Sequence, residues 1–176
     1  MAGLNISKVK FLVVEDNPFM KDLLRQILRT LGVTQIVEAS DGAEGFELYK
    51  DLHPDIVLLD WQMEPMDGLE LTKLIRSTDS SNRYVPIIMI TAYSEIARVT
   101  LARDAGVNEI LVKPIAATSL FQRIRATIER PRLFVEAETY FGPDRRRRQD
   151  PNYKGEDRRV AGKRDLAFVG GESSAA

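Results

Sequence analysis

Five side chains in this chain could carry phosphoryl chemistry if folding brought them together. They are the carboxylates of Glu15, Asp16 and Asp60, the hydroxyl of Thr91 and the ammonium of Lys113. Each stands at the end of a short apolar run: Lys10–Glu15, Asp55–Asp60, Val85–Thr91 and Glu109–Lys113. Three clustered carboxylates repel one another unless a cation neutralises them. Hard oxygen ligands without His or Cys suit Mg²⁺, which keeps several waters. The lysine can pair with a carboxylate or a phosphoryl oxygen, and the threonine hydroxyl can hydrogen-bond a phosphoryl group. An aspartate beside Mg²⁺ can act as a nucleophile and form an acyl phosphate. Taken singly, each residue has a blander reading. A carboxylate at a strand end is ordinarily a turn former or cap, Lys113 a solvated lysine and Thr91 a helix cap. The combination at four run ends, in this order, favours the chemical reading.

The elements that must position them alternate. Lys10–Glu15 reads as a buried strand. Asn17-Pro18 follows as N-cap and first helical position, and Phe19, Leu23, Ile27 and Leu31 mark one helical face that Gly32 ends. Thr34–Ala39 reads as a strand and Asp41–Asp51 as a helix. Asp55–Asp60 is a strand, and the turn Glu64-Pro65-Met66-Asp67-Gly68 leads into a helix carrying Leu69, Leu71, Leu74 and Ile75. Val85–Thr91 is a strand, Ser94–Ala105 a helix, Glu109–Lys113 a strand, and Ala117–Arg130 a helix stopped by Pro131. His53 falls in a loop before the third strand and reads as a surface turn residue. Five β-α units in series predict an α/β fold with a doubly wound, five-stranded parallel sheet covered on both faces. In such sheets ligands bind beyond the carboxyl ends of the strands, where all five polar side chains would meet.

Composition narrows the alternatives. A chain of 176 residues allows one domain, or one domain with an appendage. There is no cysteine, which excludes disulfides, thiolate zinc sites and cysteine catalysis, and the single histidine excludes a multi-histidine metal site. Lys plus Arg (25) nearly balance Asp plus Glu (26), so the chain is not a uniformly basic nucleic-acid binder. No apolar run approaches the ~20 residues of a membrane helix, and the first residues lack the pattern of a signal peptide. The expected location is the cytoplasm, without membrane insertion.

Val-Val-Glu-Asp-Asn at 13–17, Asp-Ile-Val-Leu-Leu-Asp-Trp-Gln-Met-Glu-Pro-Met-Asp-Gly at 55–68, Ile-Thr-Ala at 90–92 and Val-Lys-Pro at 112–114 resemble the bacterial response-regulator receiver family, typified by the chemotaxis protein CheY. The resemblance covers about residues 8–130. It implies a flavodoxin-like receiver, with Asp60 as phospho-acceptor and a histidine kinase as phosphodonor. It implies Mg²⁺ held by Glu15, Asp16, Asp60 and the backbone carbonyl of Gln62, with Thr91 and Lys113 sensing the phosphoryl group. It also implies a cis Lys113-Pro114 bond, and no catalytic activity beyond slow loss of the phosphoryl group. One position departs: receivers usually carry an aromatic residue three before the lysine, where this chain has Ile110. Tyr93, two residues after Thr91, is the aromatic nearby.

The composition changes near residue 130. Residues 1–130 carry net charge −3; residues 131–176 carry +2, with only 15 apolar residues among 46. This extension is expected to be largely irregular, to bury little core, and to end in a disordered stretch from Gly170. It holds a repeat: Tyr-Phe-Gly-Pro-Asp-Arg-Arg at 140–146 and Tyr-Lys-Gly-Glu-Asp-Arg-Arg at 153–159, with Arg147 and Arg148 extending the first copy. Between 132 and 164 Arg outnumbers Lys eight to two, and Asp144 and Asp157 precede the arginine pairs, which argues against plain attraction to nucleic-acid phosphates. Arginine forks onto guanine O6 and N7 or onto phosphate, aspartate accepts from the guanine edge, and Tyr and Arg planes stack on bases. A repeat suits a ligand with two equivalent halves, such as cyclic di-GMP.

Tyr140 to Arg148 and Tyr153 to Arg159, attached to a receiver, also resemble the Cle group, CheY-like cyclic di-GMP effectors with an arginine-rich C-terminal segment. That resemblance implies cyclic di-GMP held by Tyr140, Asp144, Arg145, Arg146, Arg147, Arg148, Tyr153, Asp157, Arg158 and Arg159. It implies docking to the flagellar motor switch, and so a place at the flagellated pole. The alternative is a plain phosphotransfer protein whose basic tail tethers nucleic acid or another partner.

Overall fold

The computed structural model describes residues 4–79, 81–138, 140–144 and 159–160. Five parallel strands, β1 (Lys10–Val14), β2 (Gln35–Ala39), β3 (Ile56–Asp60), β4 (Ile87–Thr91) and β5 (Glu109–Val112), lie in the order β2-β1-β3-β4-β5. The helices between and after them are α1 (Pro18–Thr30), α2 (Gly42–Leu52), α3 (Gly68–Ser77), α4 (Ile96–Ala105) and α5 (Ala117–Glu129). This is the flavodoxin-like α/β fold the alternation predicts.

The pleat explains the two layers. Phe11 and Val13 face one side of β1 and pack, with Ile56, Leu58, Ile88 and Ile90, beneath Leu24, Ile27 and Leu28 of α1 and Leu120, Ile124 and Ile128 of α5. Leu12 and Val14 face the other side and join Val57, Leu59, Ile87 and Met89 under Tyr49 of α2, Leu71 and Ile75 of α3 and Ala102 of α4. Both layers bury β3 and β4 along their whole length, which is why those strands read as unbroken apolar runs. The strand order reverses between β1 and β3, so a crevice opens there beyond the carboxyl ends.

Local chemistry sets the elements around that crevice. Asn17 Oδ1 accepts from the N–H groups of Phe19 and Met20 at 3.0 and 3.1 Å, with Pro18 at the first helical position. Asp67 and Glu70 form a capping box at the start of α3. Gly68 is required: a Cβ there would overlap the carbonyl oxygen of Asp60, and its N–H donates to the Trp61 carbonyl at 3.0 Å. The strand read from Val85 begins at Ile87, because Pro86 has no N–H to give the ladder; a 3₁₀ turn, Ser81–Tyr84, precedes it. His53 closes α2 in the left-handed region, at φ 45°. The Lys113-Pro114 bond is cis, as is Glu64-Pro65.

The expectation of an irregular extension with little core needs correcting for its first part. Strands β6 (Phe134–Ala137) and β7 (Tyr140–Pro143) pair antiparallel, and β8 (Arg159–Val160) joins β6 on its other edge, giving the order β7-β6-β8. The hairpin packs on the receiver. Phe134 is only 4% exposed, and its ring lies 5.1 Å from that of Tyr84 and 5.4 Å from that of Phe141. Beneath it Arg76 is buried, donating to the Gly106 carbonyl (3.0 Å), the Arg83 carbonyl (2.6 Å) and Asn108 Oδ1 (3.0 Å). These three acceptors are neutral, and burial lowers the Arg76 guanidinium to about 9. Arg83 stacks on Phe141, 3.3 Å from the ring centroid, and pairs with Glu136 at 3.3 Å. Arg132 donates to the carbonyls of Asn108 and Asp144. Tertiary contacts with an aromatic and arginine seam thus order a stretch whose own composition is poor in apolar residues.

Candidate functional site

The crevice collects the five side chains singled out in the sequence. Glu15 follows β1 and is 1% exposed; Asp60 ends β3 at 4%; Thr91 ends β4 at 2%. Asp16 is exposed beside them. Glu15, Asp16 and Asp60 each offer an oxygen within 4.8 Å of the others. Lys113, just beyond β5, reaches across the crevice, its Nζ 2.6 Å from Asp60 Oδ1 and 3.5 Å from Glu15 Oε2.

The backbone holds the carboxylates further. The Gln62 N–H donates to Asp60 Oδ2 at 2.9 Å, and the Asn17 N–H donates to Glu15 Oε1 at 3.3 Å. Thr91 Oγ1 accepts from the Tyr93 N–H at 3.0 Å. The electrostatics follow from burial. Glu15 is raised to about 6, first by burial and then by the Asp60 charge, with Lys113 partly offsetting both. Asp60 is raised as well, chiefly by burial, against the pull of Lys113 and the Gln62 N–H. Burial pulls Lys113 down, but its hydrogen bond and charge contact with Asp60, helped by Glu15, leave it raised. Three carboxylates facing one ammonium leave an excess of two negative charges. An all-oxygen set with that surplus, two of its members held against ionisation by burial, fits a divalent cation such as Mg²⁺.

Two groups of contacts were not read from the sequence, one beside the crevice and one at the opposite edge of the sheet. The Gln62 side-chain amide donates to Tyr93 Oη at 3.0 Å. The Arg98 guanidinium lies 3.6 Å from the Tyr93 ring centroid and 5.9 Å from that of Trp61. Tyr93 thus sits between the Asp60 loop and the first turn of α4. Ile110, at the departing position, packs partly buried in the layer under α2, α3 and α4. The second group is the seam of Arg76, Arg83 and Arg132. Nothing in its local sequence marks it, since an arginine late in a helix normally points to water.

The tail residues that the structure describes stand away from the crevice. The hairpin meets Gly106, Arg76 and Tyr84, at the edge where β4 and β5 begin, opposite the carboxylates. Tyr140 lies half-buried in β7, with its hydroxyl donating to the Pro143 carbonyl at 2.7 Å. Asp144 follows β7, where its N–H donates to the Leu133 carbonyl at 2.6 Å. The backbone of Arg159 pairs in β8. Arg145, Arg146, Arg147, Arg148, Tyr153, Asp157 and Arg158, with the end from Gly170, lie outside the described residues.

Comparison with known proteins agrees with this geometry. The family described as "Response regulator receiver domain" matches residues 11–125. Chemotaxis protein CheY-3 of Vibrio cholerae is 35% identical over 130 residues, covering 74% of this chain and 99% of that protein. Chemotaxis protein CheY of Pseudomonas aeruginosa is 33% identical over 122 residues, 69% of this chain and 98% of that one. Among solved structures, the CheX-CheY-BeF3-Mg+2 complex from Borrelia burgdorferi superposes with a TM-score of 0.65 at 30% identity, covering 71% of this chain and 95% of that one. A putative response regulator from Chloroflexus aurantiacus gives a TM-score of 0.64 at 29% identity, over 69% and 98%. Receivers bind Mg²⁺ at an acidic pocket, and here Glu15, Asp16 and Asp60 supply it. With the fold, the pocket and the similarity in agreement over residues 11–125, the chain belongs to the response regulator receiver family.

Proposed function

We propose that this chain is a CheY-like signalling adaptor that accepts a phosphoryl group on Asp60 and binds cyclic di-GMP through its arginine-rich tail. The observation that carries the first half is the placement of Asp60. Its carboxylate sits between the Lys113 ammonium and the Gln62 N–H, within reach of the oxygens of Glu15 and Asp16. An Asp60 oxygen attacks the phosphorus of an acyl phosphate or phosphohistidine donor, the bond from phosphorus to the donor breaks, and the donor leaves with that electron pair. Glu15, Asp16, Asp60 and the Gln62 carbonyl would hold Mg²⁺, which when bound supplies charge neutralisation for the phosphoryl oxygens. Lys113 then pairs with the new phosphoryl group, and Thr91 hydrogen-bonds it.

The second half rests on the doubled Tyr-x-Gly-x-Asp-Arg-Arg pattern, whose Arg, Asp and Tyr side chains match the hydrogen-bonding edges and stacking faces of two guanines. The output face is that of α4, β5 and α5, where Ile96 is 84% exposed, Leu101 54% and Val112 38%. Apolar side chains left in water there favour a protein partner, which we assign as the flagellar motor switch. Labelling with an acyl phosphate in Mg²⁺, compared between the native chain and Asp60→Asn, tests the first half. Equal labelling of both would remove it. Calorimetry with cyclic di-GMP on the native chain and on a chain ending at Asp144 tests the second; undiminished binding by the shorter chain would remove it.

A further inference from the structure

Helix α4 is held at its two ends and barely at all between them. Its buried side chains are only Ala102 and Ala105, whereas α1 buries Leu24, Ile27 and Leu28. At its start, the Arg98 guanidinium stacks on Tyr93 at 3.6 Å, Tyr93 Oη accepts from the Gln62 amide at 3.0 Å, and the Gln62 N–H donates to Asp60 at 2.9 Å. These contacts form an unbroken path from the carboxylate to the first turn of the helix. At its finish, Gly106 closes α4 with φ +100° and gives its carbonyl to the buried Arg76 at 3.0 Å. Gly142 of β7 lies directly against Gly106: a Cβ on Gly142 would come within 2.8 Å of the Gly106 Cα. The ten-residue helix is about 15 Å long, so it spans from the acid pocket to the opposite edge of the sheet.

We infer that α4 is a strut coupling the acid pocket to the seating of the β6–β7 hairpin, through Arg98 and Tyr93 at one end and the Gly106–Gly142 contact at the other. With so little burial along its length, the helix has no strong third anchor, so a shift imposed at one end is carried to the other. The tail's first arginines follow directly on Asp144, so the state of the pocket reaches the segment to which the adaptor reading assigns ligand binding; the inference rests on that reading for the pocket's occupant. Coupling of this kind is reciprocal: whatever factor pocket filling applies to hairpin seating, unseating the hairpin applies to pocket filling.

The test uses the full chain, with Mg²⁺ and beryllofluoride as the probes that fill the pocket. Trp61 is the single tryptophan and neighbours Asp60, so its fluorescence reports occupancy. Amide hydrogen exchange over residues 132–144 reports hairpin seating. The expected result is at least a threefold change in exchange over 132–144 when the pocket fills. Arg98→Ala keeps the Trp61 response but loses that change, and Gly142→Ala shifts the beryllofluoride midpoint by a similar factor. Unchanged exchange over 132–144 while Trp61 reports a filled pocket would overturn the coupling and leave the phospho-acceptor reading intact. A change that survives Arg98→Ala would overturn the path through Tyr93. A Trp61 signal that never responds, with no beryllofluoride retained on dialysis, would instead overturn the phospho-acceptor reading and the coupling with it.

Discussion

The Lys113 ammonium stands 2.6 Å from Asp60 Oδ1, and it is the cation that the pocket supplies for itself. The same ammonium lies 3.5 Å from Glu15, so in the metal-free protein Lys113 does part of the work of a divalent ion. Removing it makes the pocket more negative and removes a charge that repels Mg²⁺. We expect Lys113→Met to bind Mg²⁺ severalfold more tightly, read by Trp61 fluorescence, while acyl-phosphate labelling of Asp60 slows. Weaker Mg²⁺ binding by this variant would show that the lysine organises the carboxylates more than it competes with the ion.

The raised Glu15 gives the metal-free protein a defined pH dependence. Its folded value, about 6, lies above the ordinary 4.5, so the folded state holds the proton more tightly. Stability is greatest with Glu15 protonated and declines as pH rises through about 6. The difference is worth at most about 2 kcal/mol, and Asp60, also raised, acts in the same direction. Chemical denaturation in a chelator should therefore show a more stable protein at pH 5 than at pH 7.5. Glu15→Gln should flatten part of that slope, and saturating Mg²⁺ should reverse it at neutral pH.

The hairpin makes a contribution that truncation can separate. Ending the chain at Asp144 retains Phe134, Phe141 and the cover over Arg76, and should change stability by less than about 1 kcal/mol. Ending it at Arg130 uncovers Arg76 and Tyr84. That shorter chain, or Phe134→Ala in the full one, should cost about 2–4 kcal/mol, measured as a shift in the denaturation midpoint. Equal midpoints for both truncations would mean that the hairpin contributes nothing to the receiver's stability.

For the tail, Arg145→Ala, Arg146→Ala, Arg158→Ala and Arg159→Ala should each weaken cyclic di-GMP binding by roughly 1–3 kcal/mol. Asp144 separates base reading from plain charge attraction. Its backbone N–H and carbonyl bond Leu133 and Arg132, and Asp144→Ala keeps both of those groups. Weaker binding by Asp144→Ala supports recognition of guanine; tighter binding would point to a tail that merely attracts anions.

The five strands and the pocket were legible because each depends on short-range pattern. Continuous apolar runs ending in Glu15, Asp60, Thr91 and Lys113, set between helical periodicities, leave one sensible topology, and that topology carries the polar ends to one edge. The hairpin was not legible. Its strands are four residues each, β7 contains Gly142 and Pro143, and both residue types read as turn formers. What orders it is Tyr84, Arg83 and a buried Arg76, which lie far upstream. Arg76 in turn reads as a solvated cation until Phe134 covers it. The bond from Gln62 to Tyr93 was equally hidden, since it joins the loops after β3 and β4 through side chains that no periodicity reveals.

The placing of β7 and β8 on opposite edges of β6 fixes where the residues at their ends stand. Both strands run antiparallel to β6, so they run parallel to each other, about 10 Å apart across two strand spacings. Pro143 and Val160 stand level on either side of Phe134, and Gly142 and Arg159 level on either side of Val135. Asp144, which opens one Asp-Arg-Arg segment, and Arg159, which ends the other, are therefore held by the same small sheet. Part of the entropy of bringing them together is already spent in folding, so a ligand that bridges them meets a smaller ordering cost than it would on a linear peptide of the same sequence.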